Sequence, residues 1–167
     1  MQKNGQSGGL MSVLRKGVLS GAAASVLSSL ALALCGKNDS GSHFAATNAI
    51  SHWIWGPKAA RRNGASMKYT FVGYAIHHGC STFWATCFEM ALQQRKPRSA
   101  AATLATVAAA AAATSAVAYW VDYNLTPQRL QPGFEQRLSK KSLFVVYAAF
   151  AAGLALAAHC RRQRQDA

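Results

Sequence analysis

Between Gly73 and Glu89 the chain reads GYAIHHGCSTFWATCFE, placing two histidines, two cysteines and a glutamate in a stretch otherwise apolar enough for a membrane. These residue types can relay protons, hold a metal, take part in redox chemistry or line a ligand pocket, and their spacing decides among those uses. At about 100° per residue, Tyr74, His78, Thr82 and Glu89 share one helix face, while His77, Cys80, Trp84 and Cys87 fall opposite or to one side. Ionisable groups inside a bilayer often mark ion routes or ligand sites, and each costs roughly 2.5–3.5 kcal/mol on insertion scales, so this face should turn toward other helices. The partners on offer are hydroxyls: Ser20, Ser25, Ser28 and Ser29, then Thr103, Thr106, Thr114 and Ser115, and finally Tyr147. The simplest expectation makes His78 a hydroxyl-bonded structural group and lets Glu89 reach the interface or pair with Arg95 or Lys96. His52, His77 and Asp122 are weaker candidates, and Asp122, set among Tyr119, Trp120 and Tyr123, is expected to reach water.

Spacing argues against several specific chemistries. A haem held by two histidines needs ligands from opposite sides at one depth, yet no other apolar stretch supplies a histidine before His159, at the far end of the last one. His77 and Cys80 lie three apart, but no second cluster completes the three or four ligands that zinc requires. Cys80 and Cys87 are two turns apart, about 10.5 Å of helix rise, beyond the roughly 7 Å limit for disulfide Cα atoms. Cys35 and Cys160 close different apolar stretches, on opposite membrane faces if all four cross, so no intramolecular disulfide is expected. The chain has no glycine-rich phosphate loop, no G-x-S-x-G elbow and no H-E-x-x-H. Glu89, Asp122 and Glu135 form no obvious catalytic spacing. The expectation is therefore no bound metal, no cofactor and no catalytic residue.

The elements that must position these groups are apolar helices. The 167 residues include 51% hydrophobic ones, and the mean hydropathy of +0.05 averages over a strongly segregated chain. Four stretches carry little or no charge, at about 18–35, 69–92, 100–121 and 142–158. Each approaches the roughly 20 residues needed to cross the hydrocarbon core. The pattern predicts an all-α integral membrane four-helix bundle, one membrane domain over 12–160, with a disordered segment at 1–11 and a basic tail at 161–167. All 18 basic residues lie outside the four stretches. A net charge of +13 raises the question of nucleic acid, but no single element shows a stripe of Lys and Arg with interleaved aromatics. Basic residues at span ends suit anionic lipid head groups instead. With four crossings each side carries nine basic residues, so the positive-inside count ties. The denser clustering in Lys3, Arg15, Lys16, Arg95, Lys96, Arg98 and Arg161, Arg162, Arg164 places both termini in the cytoplasm.

Finer features belong to the connections and contact faces. Arg15 and Lys16 before an apolar run ending in LALC resemble a lipoprotein signal, but Leu34 stands where a small residue belongs and the run is long, which favours a retained helix. Residues 1–10 have no structural pattern, and Met11 is an alternative start. Gly17, Gly21, Ser25 and Ser29 recur every four residues, as do Ala149, Gly153 and Ala157, the close-approach stripes of packed membrane helices. In the first loop, Phe44, Ala46, Ala49, Ile50, Trp53 and Ile54 lie at helical spacing opposite Thr47, Asn48, Ser51 and His52. That pattern predicts a short interfacial helix on the bilayer, stopped by Gly56 and Pro57. In the third loop Thr126 and Pro127 read as a helix start and Pro132 with Gly133 as a turn. A helix from Phe134, with Glu135 in its first turn, is expected to run on into the last span.

The segments NAISHWIWG, VGYAIHHGCSTFWATCFE and VDYNLTPQRLQPGFE resemble the uncharacterised small multi-pass inner-membrane proteins of proteobacteria, over about residues 12–158. The resemblance implies a bacterial inner membrane and brings no activity or site residue with it. The leading expectation is a non-catalytic membrane subunit or accessory acting through helix packing, with a membrane protein partner or a homo-oligomer. The alternatives are a small transporter or proton conductor using His78 and Glu89, and a membrane enzyme or redox subunit using His52, His77, His78 or Asp122.

Overall fold

A computed structural model describes residues 4–94 and 99–166. Among them the chain is all-α. Four long helices, α1 (Asn4–Ser40), α4 (Val72–Gln93), α5 (Ala100–Asn124) and α6 (Lys140–Asp166), pack together, with two short helices, α2 (Ala45–Ile50) and α3 (His52–Trp55), between α1 and α4. Three of the long helices, over Gly9–Ser40, Ala101–Asn124 and Lys140–Arg164, are long and apolar enough to cross a membrane, which marks a multi-pass integral membrane protein. α4 falls short of that composition because its histidines, hydroxyls and glutamate dilute it. It nevertheless lies antiparallel beside α1, with Thr86 against Gly17 and Thr82 against Gly21. α1 begins at Asn4, so helix covers most of the stretch expected to be disordered, and α6 carries the basic tail on as helix to Asp166.

The order around the bundle is α5, α6, α1, α4, with α4 and α5 meeting only loosely. Small residues set this order. A Cβ added to Gly21 would lie 2.6 Å from the Thr82 Cα, and one added to Gly153 would lie 2.5 Å from the Ala24 Cα, so the backbones of α4 and α6 both approach α1 through its small-residue face. Ala24, Phe88, Val107, Ala111, Phe150 and Leu154 form one buried cluster, and Leu32, Ile50, Phe134, Leu138 and Val146 belong to a second that ties in the loops.

Those loops form a cap at the end of the bundle opposite the chain termini. Ser40 Oγ donates to the Arg137 carbonyl (2.6 Å), and Arg137 donates to the Ala60 carbonyl and to Asn63 Oδ1 (2.7 Å each). The first-loop helix differs from expectation. It breaks at Ser51, and its polar side is not turned to water: Asn48 is fully buried, donating to the Arg62 and Gly64 carbonyls (2.9 Å each) while accepting from Thr70 Oγ1 (2.6 Å). The reason is that residues 56–71 fold back over it and present carbonyls that an amide can satisfy. Gly56, at φ 67°, does end α3. In the third loop the predicted continuous helix from Phe134 is corrected: Phe134–Gln136 is a single 3-10 turn, and α6 starts only at Lys140. Gly133 (φ 88°) turns the chain against the Ala49 carbonyl, and the Arg137 contacts hold the break open.

Candidate functional site

The face of α4 that carries Tyr74, His78, Thr82 and Glu89 lies toward α1. The Ser25 hydroxyl, which donates to the Ala22 carbonyl (3.0 Å), meets His78 Nδ1 at 2.8 Å. One turn along, the Ser28 hydroxyl donates to the Ala24 carbonyl (2.8 Å) and meets His77 Nε2 at 2.7 Å. A serine has one proton, so with that proton on the helix carbonyl each imidazole nitrogen is the donor, and the two rings adopt opposite tautomers. The Tyr74 ring stacks on His78 with centroids 5.9 Å apart. At the other end of this seam Ser20 Oγ donates to Glu89 Oε1 (2.5 Å), and Arg161 donates to both Ser20 Oγ (2.8 Å) and Glu89. Glu89 is only 5% exposed. The salt-bridge partner thus comes from α6, while Arg95 and Lys96, the partners expected from sequence, lie outside the described residues.

His77 departs from the helical-wheel expectation because it shares the α1 contact with His78. It also borders a cavity of about 400 Å³ bounded by α4, α5, α6 and the cap. The walls are mostly apolar, with Trp84, Phe134 and Phe150 prominent, and the polar exceptions include Cys80, Ser81, Asp122 and Tyr147. Asp122 is corrected from an outward residue to a lining one: its Oδ2 accepts the Tyr147 hydroxyl at 2.5 Å. Tyr119 and Tyr123 pack around that phenol, at centroid distances of 5.2 and 6.5 Å. A second hollow continues along the α4–α5 face, lined by Trp84, Cys87 and the alanines of α5. Phe83, 61% exposed, stands at the mouth of the first.

His52, in the cap, lies apart from both features. Its Nε2 and the Trp53 indole N–H both reach the Gln131 carbonyl, at 3.0 and 2.9 Å. A carbonyl only accepts, so His52 carries its proton on Nε2, and burial holds its pKa below the ordinary value, against the opposing charge of Glu135.

The structure therefore brings His77, His78 and Glu89 onto one seam and sets His77 and Asp122 on one cavity, while His52 serves the cap. Among the described residues no three His, Cys, Asp or Glu side chains converge as metal ligands. The four cysteines are unpaired. This geometry can hold helices together and accept an apolar guest. Sequence reasoning missed Arg137, Asn48 and Arg161, whose roles depend on partners 72 to 141 positions away or on a folded-back loop. No family model, curated protein or solved structure matches the chain.

Proposed function

We propose that the protein is a non-catalytic integral membrane component, a subunit or accessory that acts through helix packing and binds a membrane protein partner or a second copy of itself. On this reading it resides in a bacterial inner membrane with both termini cytoplasmic, and α4 is the fourth crossing, carried through the bilayer by its contact with α1. The observation that carries the reading is that the ionisable groups of α4 are taken up by neighbouring helices. His78 and His77 are taken up by Ser25 and Ser28, and Glu89 by Ser20 and Arg161, so these groups serve helix interfaces. The loosely sealed α4–α5 flank, with Phe83 and Trp84 at its mouth, is where a partner helix fits.

Proteoliposomes test this directly. Wild-type protein should show no pH-dependent proton or cation flux, and His78→Gln and Glu89→Gln should leave membrane insertion intact. A photo-crosslinking residue at Phe83 should capture one discrete membrane protein or a second copy, whereas one at Phe144, 75% exposed on α6, should not. Flux in the wild type that these substitutions abolish would overturn the proposal.

One observation favours the second reading, a small transporter. The cavity is lined by both His77 and Asp122 and opens between helices. That reading requires flux lost on Asp122→Asn, with His78→Gln retaining it.

A further inference from the structure

At the end of the bundle that carries both termini, α1, α4 and α6 enclose a cleft of about 240 Å³. Its apolar floor is Val13, Leu92 and Ala158, all buried. Its polar wall combines Lys16, Arg161 and Arg162 with Gln93 and a single carboxylate, Glu89. Glu89 is spent on Arg161, which also donates to Ser20. Among the described residues lining the cleft, Lys16 and Arg162 therefore have no anionic counterpart, and that lining carries an excess of two positive charges. Their depth follows from the chain: Lys16 stands just before the apolar run that opens at Val18, with only Gly17 between, and Arg162 follows the one that closes at Ala158. Those positions are the ones at which hydrocarbon is expected to give way to head groups.

We infer that this cleft binds the phosphate of an anionic phospholipid. Arginine offers a planar fork and lysine a compact charge, both suited to phosphate oxygens, and basic pockets between membrane helices recognise anionic head groups. The volume is below the roughly 300–1,000 Å³ of pockets for drug-sized ligands and suits a head group with its chains left in the bilayer. The Glu89–Arg161 pair has a defined part: it fixes Arg161 against α1 and leaves the neighbouring Arg162 and Lys16 to meet the ligand. The inference is independent of the proposed function, since a lipid held at this end serves a packing protein and a transporter alike.

The test uses the full chain in dodecylmaltoside, titrated with dioleoylphosphatidylglycerol, dioleoylphosphatidylcholine or inorganic phosphate, and read by native mass spectrometry and thermal unfolding. Wild type should bind phosphatidylglycerol roughly tenfold or more tightly than phosphatidylcholine, with a raised unfolding temperature. Lys16→Gln/Arg162→Gln should lose that preference and keep the lipid-free unfolding temperature, because neither residue belongs to the Glu89–Arg161 pair. Lys58→Gln/Arg129→Gln, which removes the same charge at the cap end, should retain the preference. Equal binding of the two lipids by wild type, or an undiminished preference in the first double variant, would overturn the site. Stabilisation by millimolar inorganic phosphate matching that of phosphatidylglycerol would overturn the lipid as its ligand.

Discussion

The serine–histidine and serine–glutamate contacts put the polar groups of α4 in a position where each loss has a different cost. Removing the charge of Glu89 leaves Arg161 partly buried without its counter-ion, and such orphaned groups cost about 1–3 kcal/mol. Glu89→Gln should therefore destabilise the bundle by that order in reversible unfolding from bicelles. Combining it with Arg161→Gln should cost less than the sum of the single effects, and a double-mutant cycle measures the difference. His52 supplies the pH dependence. Its folded-state pKa is depressed, so the unfolded chain binds the proton more readily, and the stability associated with the neutral ring is complete above its ordinary pKa of about 6.5. That stability should decline as pH falls from there toward the folded-state value. Trp53, which shares the Gln131 carbonyl with His52, should report the loosening by fluorescence, and His52→Gln should flatten the pH profile. Sequence alone could assign the hydroxyl partners of the α4 face as a class, because serines on a neighbouring apolar helix are the cheapest way to satisfy an imidazole. It could not choose Arg161 for Glu89, because nearness along the chain favours Arg95 and only the packing of α6 on α1, parallel to α4, makes the distant residue adjacent.

At the level of helices, the four apolar runs, the four-residue glycine and serine repeat and the glycine stop after Trp55 could all be read directly, since each rests on local periodicity. The cap could not, because its segments are held by side chains bonding to carbonyls far along the chain, as Arg137 and Asn48 do. The glycine repeat yields a sharp expectation. In Gly21→Val the added carbons collide with the Thr82 backbone, and overpacking of this kind costs roughly 1–3 kcal/mol. The unfolding free energy should fall by that amount, and cysteines placed across α1 and α4 should crosslink more slowly. α4 itself should behave as a conditional span. Assayed alone by glycosylation mapping in microsomes, it should insert poorly, and replacing His77, His78 and Glu89 with leucine should make it insert well, given the cost of charged and polar groups at mid-membrane. Efficient insertion of the unmodified lone segment would show that α1 is not needed to carry it.

For the molecule as a whole, the two ends are built differently. Asn4, Gln93, Ala100 and Asp166 lie at one end, where the Glu89–Arg161 pair and the basic cleft are found. The first and third loops are fused at the other, through Arg137, Asp39 accepting from the Ser139 amide, and the Gln131 carbonyl. The apolar exterior, with Leu30, Leu34, Phe144 and Leu156 all more than half exposed, is the surface expected against lipid tails, so alkaline carbonate should fail to strip the protein from vesicles. The fused loops also give the bundle a mechanical polarity. Tension applied between its two termini, both at the unfused rim, would peel α1 from α6 like a zip, parting the Arg161–Ser20 contact first and reaching the Arg137 knot last, so a single-molecule trace should show a weak early rupture followed by a stronger final one.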